Sequence, residues 1–235
     1  MENSILFSAC YGFPPNGLGY CGHDSFSKVL RNYLVGKASI GTVESELKKF
    51  KAQYAYLKFI GRESGLDPFH PKVVEAFWLG NTLLENVSYS SMQKFIKINL
   101  FPKSSVRAKS LAKNLPKGLF PHHSFNVLYI HFVTNKVNKS VENFDSCCIT
   151  AGKVTSISDS KAIVDRFSIE HSHCFCFGRK VSKVDLVRGG LRLVKNLKKG
   201  DLVAVHWGMV VGKLTTRQYS LLRKYTQKTI NYLND

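Results

Sequence analysis

The chain has 235 residues, with 34 Lys plus Arg against 16 Asp plus Glu, and its formal net charge is +18 at pH 7. A chain of this length can bury a substantial hydrophobic core as one large domain or two small ones. No apolar run approaches the roughly 20 residues that a membrane-spanning helix needs, and no secretory signal pattern opens the chain. We therefore predict a cytoplasmic protein with no membrane partner and with reduced cysteines.

The first segment that stands out is residues 11–22, which contains Pro14, Pro15 and four glycines. Glycine and proline at this density predict a loop and not a helix or a central strand. Three aromatic residues lie within the same stretch, whereas flexible linkers seldom carry aromatic side chains so close together. We therefore expect an ordered loop that packs on the rest of the protein.

The residues that follow are mainly helical in pattern. Apolar residues recur every three or four positions from Val43 to Ile60, which predicts an amphipathic helix that Gly65 ends. Further helices are predicted from a cap at Asp24 or Ser25 to Gly36, from Pro71 through Val87, at residues 91–100 and at residues 104–115. Residues 125–133 are apolar and fit either a buried strand or a buried helix. Residues 134–140 are polar and are predicted to form a linker.

After this linker the pattern changes to short strands separated by turn residues, which favours a small barrel. A closing helix from Thr215 places apolar and polar residues on one face that would lie on the barrel. We predict an α+β fold with a helical domain at residues 1–135 and a small OB-like β-barrel with a C-terminal helix at residues 145–235. The predicted strands are residues 148–156, 162–167, 173–177, 184–186, 191–194 and 202–206.

Several motifs in the last third of the chain occur in a recognisable order. Cys147 stands five residues before Gly152, and the strands Gly152-Lys153-Val154 and Ala162-Ile163-Val164-Asp165 follow it. Val184-Asp185-Leu186-Val187, the Gly200-Asp201 turn, Val205-His206-Trp207-Gly208 and Lys213-Leu214-Thr215 complete the set. Over residues 147–233 this order resembles the HypC/HupF family of [NiFe]-hydrogenase maturation chaperones.

The resemblance implies an accessory protein, not an enzyme, that carries an Fe(CN)2CO fragment. Cys147 would be the iron ligand, and His206 would support the fragment or the docking surface, because thiolate and imidazole suit a soft metal centre. Cys148 could compete with Cys147 as the metal ligand. The implied partners are a hydrogenase maturation scaffold protein or a hydrogenase large-subunit precursor.

A second group of possible metal ligands lies in residues 171–176. His171 and His173 would point to one face of a strand and Cys174 and Cys176 to the other, so a single ion could not bind all four without a bend. Zinc is the ion that such a set would bind. An exposed hairpin without metal fits the segment as well.

The whole chain is also similar to a family of no known activity in which a helical domain with such an opening segment precedes the barrel. Cys21, His122 and His123 could gather into one site, but we favour a loop contact or a helix start as the explanation of the histidine pair, because such a pair after a proline more often has that role. The residues predicted to contact a partner are Tyr11, Pro14, Pro15, Asn16, Tyr20, Cys21, His122 and His123.

Two other functions remain open at this stage. The positive charge, with Phe175, Phe177 and Trp207 on barrel strands, would suit an OB-like nucleic-acid binder. We favour this function less, because the lysines are spread along the chain and form no polybasic tail. The Cys and His residues could also belong to a metalloenzyme whose substrate the sequence does not indicate.

Overall fold

A computed structural model describes residues 1–100, 106–131 and 140–234. Within these ranges the protein is α+β, with N-terminal helices, a five-stranded sheet and a long C-terminal helix. None of the described helices is long and apolar enough to cross a membrane. The helices are α1 (Glu2–Gly17), α2 (Phe26–Leu34), α3 (Ile40–Leu47), α4 (Lys51–Ser64), α5 (Pro71–Trp78), a 3-10 helix (Thr82–Asn86), α6 (Tyr89–Phe95) with a π-helical continuation (Ile96–Leu100), α7 (Val106–Lys113), α8 (His123–Phe125) with a π-helical continuation (Asn126–His131), α9 (Val141–Cys147) and α10 (Thr216–Asn234).

The main sheet has five strands that pair in the order β1-β2-β3-β7-β6. Strand β6 also pairs with β1, so each of the five strands has two neighbours. All these pairings are antiparallel except a single parallel contact between Asp185 of β3 and Met209 of β7. The strands are β1 (Thr150–Ile157), β2 (Lys161–His171), β3 (Phe175–Asp185), β4 (Val187–Arg188), β5 (Leu191–Arg192), β6 (Leu202–His206) and β7 (Met209–Lys213), of which β4 and β5 form a separate two-stranded ladder.

The predicted strands are confirmed in part. The strand at residues 202–206 has the predicted bounds. Residues 175–177 and 184–185 of the two strands predicted at 173–177 and 184–186 belong to the single strand β3, which pairs along its whole length with β2. Strand β7 was not predicted; it follows β6 after the two-residue turn formed by Trp207 and Gly208.

Side-chain alternation along β6 decides what faces the helices. Val203 and Val205 belong to a small apolar cluster formed by strand residues and by Leu186. Ala204 and His206 point to the opposite face, because successive strand residues alternate. Helices α1 and α10 pack against strands of this sheet, and Ala204 belongs to the apolar cluster that includes residues of both helices. His206 is therefore directed towards the helical part of the protein.

One continuous hydrophobic cluster joins the helical part to the sheet, from Ile5 of α1 to Ile230 of α10. The two parts therefore share this large cluster, and the sheet has in addition the small cluster that includes Val203 and Val205. The division into domains at residues 1–135 and 145–235 stays a prediction, and the linker proposed between them lies outside the described residues except for Ser140.

Helix α1 corrects the prediction of a loop at residues 11–22, because residues 11–17 are its last turns. Pro14 and Pro15 lie inside this helix and are buried. A proline removes the hydrogen bond to the carbonyl four residues earlier. The helix tolerates this loss because the prolines stand near its end, where regular helical bonds already run out, and because its buried face packs on β6 and β7.

The other helices largely follow the predictions. The helix predicted from Thr42 is two helices, α3 and α4, and Gly65 ends α4 in the left-handed conformation with φ of 65°. Helix α5 begins at Pro71 as predicted but ends at Trp78, and a 3-10 helix covers residues 82–86. Residues 125–131 are helical, which answers the question left open for that part of the segment.

Candidate metal centre

Three potential metal ligands converge where the helices meet the sheet. Cys147 is the last residue of α9, His206 is the last residue of β6, and His123 begins α8. One ligand atom from each residue lies within 4.8 Å of the other two, and all three residues are buried. Within residues 1–100, 106–131 and 140–234, no other group of three or more His, Cys, Asp or Glu residues has this geometry.

A buried ion pair between Asp145 of the same helix and Arg166 of β2 sets the position of Cys147. Arg166 of β2 donates to Oδ1 of Asp145 at 2.9 Å and to Oδ2 at 2.6 Å. The main-chain N–H of Ile169 donates to the same carboxylate at 2.9 Å. Both side chains of the pair are 8% exposed. A bidentate pair of this kind is strongly directional. It holds α9 on the sheet, and Cys147 follows Asp145 by two residues.

His206 is oriented by a main-chain carbonyl that a proline leaves without its helical donor. Pro15 has no N–H, so the carbonyl of Tyr11 cannot accept the regular hydrogen bond from the residue four positions later. Nδ1 of His206 lies 2.7 Å from that carbonyl oxygen. Because a carbonyl only accepts, Nδ1 carries the proton and Nε2 carries the lone pair. Nε2 is buried, and among the described residues no group forms a hydrogen bond of regular geometry with it; the main chain of Cys147 lies close enough to the ring to raise its pKa.

His123 is held against the same group by the main chain of Cys147. Its Nε2 lies 2.9 Å from the carbonyl oxygen of Cys147, and its ring packs on Trp78 with a centroid distance of 4.7 Å. The ring centroids of His123 and His206 are 5.3 Å apart. Since the carbonyl accepts, Nε2 of His123 is the donor and Nδ1 carries the lone pair of the ring.

The turn after His206 has an unusual backbone that several contacts maintain. Trp207 has a φ of 48°, in a region that residues other than glycine adopt rarely and at a cost of about 1 to 3 kcal/mol. Its N–H donates to the carbonyl of Ser146 at 2.8 Å, and Arg188 donates to its carbonyl at 2.8 Å. Its indole ring stacks on Tyr20 with a centroid distance of 4.4 Å. These contacts tie the end of β6 to the residue that precedes Cys147.

Burial decides the protonation states at this site. It lowers the pKa of His206 to about 4, so the imidazole is neutral at pH 7. Burial also raises the pKa of the Cys147 thiol well above its ordinary value. Electrostatic interaction with Cys21 raises this pKa further, and a hydrogen bond with the Trp207 side chain lowers it. The thiol is therefore protonated at pH 7. A soft cation that binds here would displace that proton and gain a thiolate ligand.

The three residues form part of the wall of a cavity of about 290 Å³. Cys21, Gln53 and Trp78 also line this cavity. Its volume exceeds that of a single ion, since one water molecule takes up about 30 Å³ in the liquid. A second cavity, of about 320 Å³, is lined by residues that include Asp145 and Arg166 but no Cys or His.

The structure brings together some of the residues that the sequence analysis selected. Cys147 and His206 lie in one group, whereas Cys148 is buried and does not belong to it. Cys147 and Cys148 are both free thiols. His123, which was assigned to partner binding, belongs to the group instead. The motif Pro121-His122-His123 was the signal for it, but nothing local connects it to Cys147.

The predicted second metal site does not form a group of ligands in the described structure. His171 pairs with Phe175 across the β2–β3 hairpin, and the segment between them makes the turn. Cys174 and Cys176 are exposed. Only His171 and Cys176 lie on strands, one on each side of the turn that contains His173 and Cys174, so the four residues share no strand face.

The remaining predicted partner-binding residues have structural contacts. Asn16 donates through Nδ2 to the carbonyls of Cys21 and His23, at 2.8 Å and 2.9 Å. His122 is fully buried, and burial lowers its pKa to about 3. Pro14 and Pro15 lie buried inside α1, and Tyr20 stacks on Trp207.

The aromatic residues considered for base stacking pack within the protein. Phe175 is buried beside Phe144, with a ring-centroid distance of 5.4 Å. Phe177 packs on Phe167 at 4.9 Å, and Trp207 packs on Tyr20. Each of these three rings therefore has an aromatic partner within the protein.

Comparison with known proteins places the whole chain in one family. No curated protein matches the chain, and no solved structure matches it. The chain belongs to the Family of unknown function (DUF6390), whose model matches residues 2–235.

Proposed function

We propose that this protein is an accessory protein, not a catalyst, that binds a soft metal ion or metal fragment through Cys147, His123 and His206. Two neutral imidazoles and one thiolate are a donor set for soft or borderline metals such as iron(II) and zinc. Three protein ligands leave further coordination positions open for groups that the metal brings with it or receives from a partner.

The observation that carries this proposal is the buried Nε2 atom of His206. A buried polar atom without a hydrogen bond costs about 1 to 3 kcal/mol, so native proteins keep few of them. Here the other ring nitrogen, Nδ1, donates to the Tyr11 carbonyl at 2.7 Å. A flip of the ring that gave Nε2 a partner would break this hydrogen bond. A metal bound at Nε2 would satisfy this atom, and the Tyr11 carbonyl would act as the outer-shell partner that ligating histidines usually have.

For the cargo, we propose an iron fragment of the Fe(CN)2CO type. The five-stranded sheet with one parallel contact supports an OB-like barrel, and Cys147 and His206 lie together as the HypC/HupF resemblance implies. The expected partners are a hydrogenase maturation scaffold protein or a hydrogenase large-subunit precursor. A metalloenzyme would need a substrate site beside the same donors.

The test is metal analysis together with infrared spectroscopy on protein purified without oxygen, after co-expression with a hydrogenase maturation system. We expect bound iron, with carbon monoxide and cyanide stretches, in the wild type. Both signals should disappear in Cys147→Ser. Cys176→Ser is the matched control, because this exposed cysteine lies outside the group of ligands.

The outcomes separate the proposal into its two parts. Metal without infrared bands would leave the binding site in place and reject the iron fragment as its cargo. A folded wild type that binds neither iron nor zinc would refute the metal-binding function itself.

A further inference from the structure

Strand β3 has one edge that the rest of the sheet leaves largely open. Along one side, β3 pairs with β2 from Phe175 to Asp185 without a break in register. On the other side, its only strand partner among the described residues is β7, through the single contact of Asp185 with Met209. The edge between these ends of β3 therefore has no neighbouring strand in the described part of the chain.

Hydrogen bonds at the two ends show which residues face this edge. The N–H of Asp185 donates to the carbonyl of Gly208 at 2.8 Å. At the other end, the N–H of Phe175 donates to Oδ1 of Asn234 at 3.0 Å, and the Phe175 carbonyl accepts from Nδ2 of Asn234 at 2.7 Å. Since the main-chain groups of successive strand residues alternate in direction, the odd-numbered residues of β3 present theirs to the open edge.

Arg179, Val181 and Lys183 are the odd-numbered residues in the middle of this edge. The N–H and the carbonyl that each of them presents there form no hydrogen bond with any other described group. All three residues are exposed, so these groups are open to water. In an antiparallel pair with an added strand, each of the three residues would exchange two hydrogen bonds with the residue opposite.

The even-numbered residues of this part of β3 point to the other face, towards the cavity of about 320 Å³ described above. Val184 belongs to the small apolar cluster of the sheet, and Oγ of Ser182 accepts from the buried Arg166 at 3.1 Å. Lys180, Ser182 and Val184 all line this cavity. A strand along the edge would therefore direct every second side chain to the face on which the cavity lies.

The side chains on the outer face favour a partner that is apolar at its centre and acidic on both sides. Val181 is 66% exposed, and an apolar side chain gains free energy when a partner covers it. Arg179 and Lys183 lie on the same face, two residues to either side. Arg179 already pairs with Asp165 of β2 but stays largely exposed. The formal net charge of +18 adds to the attraction of an acidic partner.

The same charges disfavour a second copy of this chain as the occupant. In an antiparallel pair of two β3 edges centred on Val181, Arg179 of each copy would lie opposite Lys183 of the other. Like charges directly opposite each other destabilise a strand pair, and charged side chains commonly protect strand edges against such pairing. An acidic strand would replace this repulsion with attraction.

We propose that the edge of β3 from Arg179 to Lys183 is a docking site for an extended acidic segment of a partner protein, which adds a strand to the sheet. The segment carries an apolar side chain opposite Val181 and carboxylates two residues to either side of it. This inference goes beyond the proposed metal-binding function and does not depend on it, because no residue of the candidate metal group belongs to β3.

The probe is a fluorescent peptide of about nine residues, blocked at both ends, in which threonine alternates with glutamate and the central glutamate is replaced by valine; at about 3.3 Å per residue it covers the edge. Fluorescence anisotropy follows its binding to the full-length protein, and NMR-detected hydrogen exchange reports single N–H groups. We expect saturable binding that weakens with salt, and slower exchange at Val181 and Lys183 in the complex.

Two methylated peptides separate strand pairing from charge attraction. In the proposed complex, the N–H groups of the valine and glutamates face β3, and those of the threonines face away. N-methylation of the valine and glutamates should weaken binding about tenfold or more, because it removes the donors to β3. N-methylation of the threonines leaves the charge and those donors in place, so the affinity should stay within about threefold of the parent peptide.

Variants of the protein test the same edge from the other side. Val181→Pro removes an N–H that faces the edge, a position where strands accept proline, and should weaken peptide binding about tenfold or more. Val181→Thr keeps the N–H and the branched side chain and is its control. Lys183→Glu, which leaves the main chain unchanged, should weaken binding about fivefold or more and reduce its salt dependence. The exposed Lys37 is far from β3 in the chain, and Lys37→Glu should leave the affinity within about twofold.

The possible outcomes are distinct from those of the metal-binding tests. No binding of the peptide by the folded wild type at concentrations up to about 1 mM would overturn the docking site. Equal affinities of the two methylated peptides would overturn pairing through the main chain. Binding of a single-stranded oligonucleotide but not of the peptide would assign the edge to nucleic acid, and a dimer that Val181→Pro abolishes would assign it to a second copy; either result would overturn the acidic segment.

Discussion

Acidification should destabilise the metal-free protein through two buried histidines. Burial lowers the pKa of His206 to about 4 and that of His122 to about 3. In the unfolded chain both return to the ordinary value of about 6.5. Between these values the unfolded state binds more protons than the folded state, so the free energy of unfolding falls as the pH falls.

The magnitude follows from the two shifts. At pH 5 each histidine is almost fully protonated in the unfolded chain and almost fully neutral in the folded protein. Each then favours unfolding by about 2 kcal/mol, since one pKa unit corresponds to about 1.4 kcal/mol. Together His122 and His206 should lower the free energy of unfolding by about 4 kcal/mol between pH 7 and pH 5, a large part of a typical domain's stability.

The assay is urea denaturation followed by circular dichroism, at both pH values and with a chelator present. His206→Gln should lose about half of the pH dependence, because one of the two titrating groups is gone. His173→Gln is the control, since His173 is exposed, and it should keep the wild-type dependence. Equal stability of the wild type at pH 7 and pH 5 would refute the reasoning, because neither histidine could then be buried and neutral.

Three further substitutions test other parts of the structure. Pro15→Ala restores an N–H that can compete for the Tyr11 carbonyl, so His206 should lose its orientation and zinc affinity should fall about 10- to 100-fold in a competition titration. Asp145→Asn breaks the buried pair beneath Cys147, and urea denaturation should show a loss of about 3 to 5 kcal/mol. In Gly152→Ala the new Cβ would lie 2.1 Å from the carbonyl oxygen of Asp165 on the neighbouring strand, and stability should fall by about 3 kcal/mol.

Each substitution has a matched control. Pro14→Ala restores an N–H that faces the Cys10 carbonyl, so zinc affinity should not change. Asp165→Asn breaks a pair whose arginine is 79% exposed, and it should cost less than about 1 kcal/mol. Gly17→Ala meets no atom within 4 Å, so it should leave stability nearly unchanged. Equal effects in a variant and its control would contradict the corresponding contact.

Local patterns predicted the parts of the fold that local interactions decide. Gly65 ends α4 as predicted because it adopts the left-handed conformation, and Pro71 begins α5 because its missing N–H is not needed there. The loop prediction for residues 11–22 failed because a local rule for proline does not include burial. Packing on the sheet outweighs the hydrogen bonds that Pro14 and Pro15 remove.

The residues of the candidate site were likewise predicted only in part. The sequence selected Cys147 and His206 through the resemblance to the HypC/HupF family, and it placed β6 correctly. It could not decide that His123 joins them, that Cys148 does not, or that Cys21 lines the same cavity. These facts depend on which faces of α1, α8 and α9 meet β6, and packing between distant segments decides that.

The sequence by itself therefore determined the helical first part and the change to short strands, because each of these depends on neighbours a few positions away, and it selected two of the three residues of the candidate metal group. Tertiary structure decided the shared cluster, the single long strand β3 and the convergence of Cys147, His123 and His206. Tertiary structure also gave the Tyr11 carbonyl, which lacks a helical donor because of Pro15, its hydrogen bond from His206. Only the packing of α1 on the sheet brings that carbonyl oxygen to 2.7 Å from Nδ1 of a histidine 195 residues away.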